Sequence, residues 1–437
     1  MTNEATTSTL SAGLRHGYGA AAFSLAIANT AVMFFLLWFL VDQARLSPAA
    51  AGTVLLVGKV WDAVSDPLIG RWSDRTRSRH GQRRPWIAAG SLPFVLLFTG
   101  LWWGLPLTGW LLAAAYAVLF MAYSTAYTAV VVPYGALTPT LTQDYDERTK
   151  LNAARMGWSM AGGMAAGILL PMIAKATSWP VGAAVLGVMM LPGLAITVRA
   201  TRGKDRTEPS APTEGSMWSV LACAPFRRTA LLFVLAWTSI AALSALVPFY
   251  VNHHLQQPKL LDAVFAAIQV GALVCIPAVS WLASRLDKPR AYALCVASWA
   301  VVLVGLAAVP AGASTLALVV AALCGPSVAA AHVLPWSMLP DVVEADRQAT
   351  GSDRAGAFYG AMTFLEKSAT AVALWGLGMA LQFGGYVDGA ESQTADAVSV
   401  VLLAIGPVPA VILCGAAVFA WRRPPLTREQ HRQLAMS

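Results

Sequence analysis

Charge is scarce in this chain. Of its 437 residues 12% are Asp, Glu, Lys or Arg, while 57% are hydrophobic; soluble domains carry about 25% charged residues. The deficit excludes a disordered chain, a long coiled coil and an ordinary multidomain soluble enzyme. Cysteine is sparse as well. The five, Cys223, Cys275, Cys295, Cys324 and Cys414, fall in or beside apolar stretches and never as CxxC. They read as small buried hydrophobes, not as disulfides or metal ligands. Enzyme signatures are missing: no GxxxxGK ending in Ser or Thr, no HExxH, no GxSxG. Neither catalysis nor a resident cofactor is expected.

What the chain has is apolar length. Twelve runs stand out: 17–41, 49–70, 85–105, 110–137, 151–174, 180–199, 228–251, 261–284, 290–310, 314–338, 356–383 and 397–421. About 20 apolar residues cross a bilayer as a helix, and lipid forces backbone groups to pair within the segment. The alternation of a membrane β-barrel is lacking. The first run is too long, and too soon followed by a second, for a cleaved signal peptide. The expected fold is an all-α membrane protein of twelve transmembrane helices in two pseudo-symmetric six-helix bundles. The polar stretch 201–226 divides bundle 1–200 from bundle 227–421, and 422–437 forms a tail. An echo between the loop Gly70–Arg77 and the loop Trp281–Lys288 fits such a repeat. In helix five, Gly163 and Gly167 form a small-xxx-small face for close helix packing, with Gly157 and Gly162 nearby.

The basic residues are placed unevenly. Arg71, Arg75, Arg77, Arg79, Arg83 and Arg84 lie between runs two and three. Arg199, Arg202, Lys204, Arg206, Arg227 and Arg228 lie between six and seven; Arg285, Lys288 and Arg290 between eight and nine; Arg422, Arg423, Arg428 and Arg432 in the tail. The opposite loops hold Arg45, Lys175 and Lys259. The positive-inside rule puts both termini in the cytoplasm. The net charge of +8 is thus topological, and no nucleic-acid partner is expected. A bacterial cytoplasmic membrane and a monomer are the expected setting.

An ionisable side chain at membrane depth costs about 2.5–3.5 kcal/mol on insertion scales, so each such residue needs a reason. They are Lys59, Asp62 and Asp66 in helix two, Arg155 in helix five, Glu366 and Lys367 in helix eleven, and His332 in helix ten. Asp62 and Asp66 are one turn apart on one face, with Lys59 a turn before them. Two carboxylates so placed repel, and a monovalent cation between them would relieve the repulsion. A structural network neutralised by Lys59, Arg155 or Lys367 is the other reading. Pro67 is expected to strain the helix and free a carbonyl. Glu366 points about 100° from Lys367, toward a helix contact or interface. His332 either titrates or packs with a hydrogen bond. His253 and His254, at the end of helix seven, are expected to be solvated. At the cytoplasmic side Asp74 and the arginines of 71–84, with the acids Asp341, Glu344, Asp346 and Asp353 after helix ten, read either as a gate lock or as a permanent surface network.

The stretch Lys59-Val-Trp-Asp62-Ala-Val-Ser-Asp66-Pro67-Leu-Ile-Gly70, continued by Asp74, Thr76, Ser78, Gly81 and Arg83-Arg84-Pro85-Trp86, resembles the signature of the glycoside–pentoside–hexuronide:cation symporters of the major facilitator superfamily. Val132 to Pro139, Asp146-Glu147-Arg148, Arg155, Asp341-Val-Val-Glu344 and Lys367 extend the resemblance over nearly the whole chain. It implies a major facilitator fold and an alternating-access symporter driven by Na⁺, Li⁺ or H⁺. By position, the cation site falls on Asp62, Ser65, Asp66 and Thr128, with Lys59 and Lys367 coupling it to the solute site. Solute contacts fall on Ala26, Tyr127, Val131 and Arg155; Trp336 is expected beside them, and the charge reading puts the gate on Asp74, Arg75, Arg148, Asp341 and Glu344. Where sugar-transporting relatives place two carboxylates and a pocket tryptophan, this chain has Ala26, Val131 and Gly135. The acceptors that grip sugar hydroxyls are therefore missing. The same loss marks the lysophosphatidylcholine symporters of this family. A small organic solute such as a sugar or glycoside is the first expectation and an amphipathic one such as a lysophospholipid the second. A non-transporting membrane sensor or scaffold is the competing class.

Overall fold

The computed structural model describes residues 10–142, 144–205, 219–352 and 354–426, leaving Arg206, Asp353, Arg428 and Arg432 and the side chains of Pro139 and Asp146 outside the described residues. Among these residues all regular structure is helical. Helix α1 is Ala12–Ala31, prolonged by π-helical turns at Val32–Leu36 and Phe39–Gln43. Then come α2 (Pro48–Arg75), α3 (Arg84–Gly100), α4 (Gly109–Leu141), α5 (Tyr145–Ala176) and α6 (Trp179–Ala200). Helix α7 is Ala224–Phe249 with a π-helical turn at Tyr250–His254; α8 is Leu261–Leu286 and α9 is Lys288–Ala307. Helix α10 has two pieces, Ser314–Leu323 and Gly325–Thr350; α11 is Ala355–Phe383; α12 has two pieces, Ala395–Ile405 and Pro407–Arg422.

Local sequence explains the ends. Ser11 accepts from Leu14 N and Asp144 from Glu147 N, capping α1 and α5. The breaks in α10 and α12 come at Cys324-Gly325-Pro326 and Gly406-Pro407, where proline lacks the donor that would continue the ladder. Three expectations change. Helix α2 runs through Pro67 and on to Arg75, so Asp74, placed by sequence in the following loop, is helical. Asp341, Glu344 and Asp346 lie within the second piece of α10, not after it. Helix α7 starts at Ala224, and Val220 and Phe226, placed by sequence in the polar linker, are buried with Phe233, Leu339 and Phe358.

Nine of the described helices are long and apolar enough to cross a membrane. The other three are α2 and α11, which carry the ionisable residues, and α3, which has 17 residues. Val411 is 74% exposed and Phe383 81%, exposure that suits lipid and would aggregate in water. This is a multi-pass membrane protein. Cys295 and Cys324 are buried, whereas Cys414 is exposed; none forms a disulfide.

The described chain divides into two compact units, one formed by 1–36 and 60–210, the other by 37–59 and 211–437. In the first, α1 packs on α5 and α6, and α3 on α4 and α6. In the second, α7 packs on α11 and α12, and α9 on α10 and α12. The pattern repeats with a displacement of six helices, a more regular echo than any in the sequence. In the first unit the closest approach is at Gly162, where a Cβ would lie 2.1 Å from the Phe23 backbone oxygen. The approach at Gly163 is looser: a Cβ there would meet the Thr30 hydroxyl at 3.1 Å.

Asp205, after α6, is buried and accepts from the backbone nitrogens of Arg83 (2.7 Å) and Arg84 (2.9 Å), so it caps α3 from a distant part of the chain. Asp205→Ala should cost about 1–2 kcal/mol, and Asp205→Asn less, since one acceptor survives. Thermal unfolding checks this, and equal midpoints for Asp205→Ala and the parent would remove the cap.

Candidate cation and solute site

Helices α2 and α4 run side by side in the same direction. Trp61 Nε1 donates to Thr125 Oγ1 at 2.8 Å, and nine residues later Gly70 approaches Val132. Between these contacts Thr128 meets both acids. Its Oγ1 lies 3.1 Å from Asp62 Oδ1 and 2.9 Å from Asp66 Oδ1. Asp62 and Thr128 are buried, and Asp66 is half-buried. Thr128 has one hydroxyl hydrogen, so it can donate fully to only one of the two carboxylates. Ser65, also buried, donates to the Asp62 carbonyl at 3.2 Å, which leaves its lone pairs able to accept. Two carboxylates and two hydroxyls on adjacent helices form a hard-oxygen environment of the type a monovalent cation takes. Of the four residues the sequence pointed to, the structure joins Asp62, Asp66 and Thr128 directly and places Ser65 on the same turn of α2.

Next to the Thr125–Thr128–Val132 face, α4 carries Tyr127, Val131 and Gly135, each four residues on from the last. All three are at least partly exposed. Tyr127 packs its ring on Phe94 (5.5 Å) and Tyr123 (6.1 Å). A Cβ at Gly135 would meet nothing within 4 Å, so this stripe ends in open space. Ala26, on α1, is half-buried. Arg155, on α5, interacts electrostatically with Tyr134. Tyr134 stacks on Tyr18 at 4.7 Å, and each phenol donates to the other residue's carbonyl, tying α4 to α1.

The second unit holds the remaining residues. Trp336 packs on Phe233 (5.5 Å) and Tyr359 (6.3 Å). His332 bonds the Val328 carbonyl through Nδ1 at 2.9 Å and packs on Trp237, whose indole donates to Thr370. His332 is therefore a hydrogen-bonded member of an aromatic cluster. Lys59 and Lys367 both act electrostatically on Glu366. The sequence reading turned Glu366 toward a helix contact or interface; the structure gives it two lysine neighbours. Its signal was present, an acid at membrane depth, but helix geometry alone does not tell which of two adjacent side chains faces charge.

Several of the expected gate residues have partners within their own unit. Asp74 pairs with Arg83 at 3.8 Å, and Arg75 ends α2. Arg148 donates to the Thr142 carbonyl at 3.0 Å. Lys288 donates to Asp341 at 2.5 Å and to the Ser337 carbonyl at 2.8 Å. Glu344 pairs with Arg347 at 3.3 Å, and Asp346 with Arg354. Glu147, beside Arg148, accepts from Leu10 N, and its hydrogen bond from Lys150 holds the carboxyl below its ordinary range.

His253 and His254 are not solvated. His254 contacts the Val309 carbonyl at 2.8 Å, and the His253 side chain is 8% exposed.

Comparison with known proteins adds lineage to this geometry. A family model described as MFS/sugar transport protein matches residues 17–428. An uncharacterized symporter of Synechocystis is 30% identical, over 95% of this chain and 94% of its own. The sodium-dependent lysophosphatidylcholine symporter 1-A of Danio rerio is 26% identical, over 89% and 81%. The inner membrane symporter YicJ of Escherichia coli is 28% identical, over 94% and 91%. Among solved structures, the nucleoside transporter NupG superposes with a TM-score of 0.67 at 12% identity, over 94% of this chain and 99% of that one. A bacterial homologue of the lysosomal transporter Spinster gives 0.65 at 12%, over 93% and 95%. The fold is that of the major facilitator transporters.

Proposed function

The chain belongs to the MFS/sugar transport protein family and is a cation-coupled symporter, and we propose that Asp62, Asp66 and Thr128 bind its coupling cation while the uncharged stripe beside them receives an amphipathic organic solute. The observation that carries this reading is the single Thr128 hydroxyl between two carboxylates. Two carboxylate charges that reach the same hydroxyl repel each other by roughly a few kcal/mol at an effective dielectric of about 20. A monovalent cation removes that repulsion and draws α2 onto α4. Helix α4 also carries Tyr127, Val131 and Gly135, so a shift at Thr128 is felt one residue away by the solute. Ser65 completes the cation's oxygen set. Lys59 and Lys367, which both act electrostatically on Glu366, are the proposed coupling residues.

Na⁺ is the first candidate ion, since the Danio relative is named as sodium-dependent; Li⁺ and H⁺ are the alternatives. For the solute, Ala26, Val131 and Gly135 supply no carboxylate for sugar hydroxyls, and Gly135 leaves room for a bulkier apolar group. These features favour a lysolipid-like solute over the sugar that was the first expectation from sequence. The family model's description keeps sugar as the second reading. Tyr127 and Arg155 are the proposed solute contacts of the first unit; Trp336 is proposed as one of the second unit by itself. Asp74, Arg75, Arg148, Asp341 and Glu344 make and exchange the gate contacts. The setting is a bacterial inner membrane with both termini cytoplasmic, the chain acts as a monomer, and neither enzymatic chemistry nor nucleic acid is involved.

The test is thermal unfolding of the protein in nanodiscs with a lysophosphatidylcholine, a sphingoid phosphate or a galactoside, each in sodium or choline chloride. A ligand at a hundred times its Kd stabilises by about 2.7 kcal/mol. The lysolipid is expected to raise the midpoint in sodium and much less in choline. A shift with galactoside alone would transfer the site to sugars, and equal lysolipid shifts in both salts would remove the coupling.

A further inference from the structure

The second unit carries an acid at membrane depth that the cation site does not use, Glu366 on α11. Tyr359, Thr363, Glu366 and Thr370 recur at helical spacing along one face of α11. A chain of aromatic rings follows that face and meets it at two points. At one, Trp237 Nε1 donates to Thr370 Oγ1 at 2.9 Å, and Thr370 Oγ1 donates to the Glu366 carbonyl at 3.0 Å. At the other, Tyr359 stacks on Trp336 with ring centroids 6.3 Å apart. Phe233 joins the two, its ring 5.5 Å from Trp237 and 5.5 Å from Trp336. Glu366 therefore stands between the two points of contact, on the face that the rings follow. Helices α7, α10 and α11 contribute, and all of these residues belong to the second unit.

The cluster is not sealed by its own packing. Tyr359 is 42% exposed, and Glu366, Trp237 and Trp336 are each partly exposed. A carboxylate beside aromatic faces is suited to an ammonium ion. The ring quadrupole attracts a cation within about 6 Å of the centroid, most strongly at tryptophan, and the carboxylate supplies a counter-charge. A hard inorganic ion fits poorly, because it needs several oxygen ligands and aromatic rings supply none. A quaternary ammonium fits well, because its methyl groups bury against ring faces and its charge needs no hydrogen bonds. Lys59 and Lys367 both act on the Glu366 carboxylate. Whatever else they touch, both repel a second cation brought to that carboxylate. A ligand of net positive charge is therefore disfavoured, and an anionic group in the same molecule offsets the repulsion.

We propose that Glu366, Trp237, Trp336 and Tyr359 form a head-group site for the quaternary ammonium of a zwitterionic amphiphile. The proposal rests on the amphipathic solute of the preceding subsection and gives that solute a charge pattern: an ammonium and an anion in one head group, on an apolar chain. Glu366 takes a different part from the carboxylates missing at Ala26 and Val131. Those would accept hydrogen bonds from sugar hydroxyls, whereas Glu366, among rings, offers charge to a group that has no hydrogen to donate. The site lies within the second unit and is separate from the cation carboxylates Asp62 and Asp66 of the first.

The test is calorimetric titration of the full chain in nanodiscs, with empty nanodiscs subtracted, against three probes of equal chain length. Hexylphosphocholine is the zwitterion, hexyltrimethylammonium the net cation and hexyl phosphate the anion. Hexylphosphocholine should bind about tenfold tighter than either of the others. Glu366→Gln should weaken hexylphosphocholine by about tenfold or more and leave hexyl phosphate no weaker. Tyr359→Leu should weaken hexylphosphocholine about threefold, and Tyr359→Phe, which keeps a ring, should restore it. Equal affinity of the parent and Glu366→Gln for hexylphosphocholine would overturn the site, as would hexyltrimethylammonium binding as tightly as the zwitterion. If Glu366→Gln does not fold, an unchanged affinity in Tyr359→Leu, a substitution at an exposed ring, overturns it instead. The two readings fail separately. A sodium-dependent lysolipid shift that persists while Glu366→Gln keeps the parent's affinity removes the head-group site alone. The loss of every lysolipid shift in the parent removes the amphipathic solute, and the head-group site with it.

Discussion

Replacing Asp66 with Asn is expected to abolish gradient-driven accumulation of the solute. The change keeps the size of the side chain and removes one of the two charges that Thr128 stands between. A charge-assisted interaction contributes about 1.5–3 kcal/mol, so cation affinity should fall about 10- to 100-fold, since 1.4 kcal/mol is tenfold. With the repulsion between Asp62 and Asp66 gone, the cation no longer has a strain to relieve, and its gradient no longer drives the cycle. Uptake into vesicles under an imposed sodium gradient measures this. Equilibrium exchange of solute across the same vesicles should persist, which separates loss of coupling from loss of folding. Accumulation at the parent's level would take Asp66 out of the cation site. Thr128→Ser, which keeps the hydroxyl, should couple far better than Thr128→Val.

The second large effect is structural. Gly162→Ala would put a Cβ 2.1 Å from the Phe23 oxygen and 2.8 Å from its carbonyl carbon. Those atoms are helix backbone and have no rotamer to escape into, so α1 and α5 must part. In a membrane, helices associate through such close approaches because lipid offers no hydrophobic drive between them. Overpacking typically costs about 1–3 kcal/mol, and this contact is at or above the top of that range. Gly163→Ala meets only the rotatable Thr30 hydroxyl at 3.1 Å, and Gly157→Ala meets nothing within 4 Å. Unfolding midpoints should therefore order as Gly157→Ala highest, Gly163→Ala next and Gly162→Ala lowest. If Gly162→Ala melts with Gly157→Ala, the close approach is not there.

The contrast among these three glycines shows how far a linear pattern reaches. The spacing of Gly163 and Gly167 marked a packing face on α5, and Gly163 does approach α1. Which glycine touches α1 depends on the rotation of α5 by less than one residue, a matter settled by the neighbour. The histidines behave in the same way. His253 and His254 follow an apolar run and looked solvated. The π-helical turn at Tyr250–His254 rotates them inward, where Tyr386 and Val309 are waiting. Tyr386 lies more than a hundred residues away, so no local pattern announces it. The acids after helix ten are similar. Their charge suggested a loop, yet α10 continues through them, because i,i+3 pairing such as Glu344 with Arg347 supports helix at a membrane surface.

The apolar spans, the all-helical class and the placing of Asp62 and Asp66 on one helix face are legible along the chain alone. Lipid makes each buried charge and each unpaired backbone group costly, so those features must be written along a single helix. Helix packing settled the rest: that Thr128 serves both acids, that Gly162 sets the α1–α5 distance, that Glu366 stands in the field of Lys59 and Lys367, and that Asp42, Tyr386 and His253 meet. Each of these depends on the rotation and register of one helix against another. That register is fixed by which side chains and backbones can approach most closely, and it leaves no periodic mark in either helix alone.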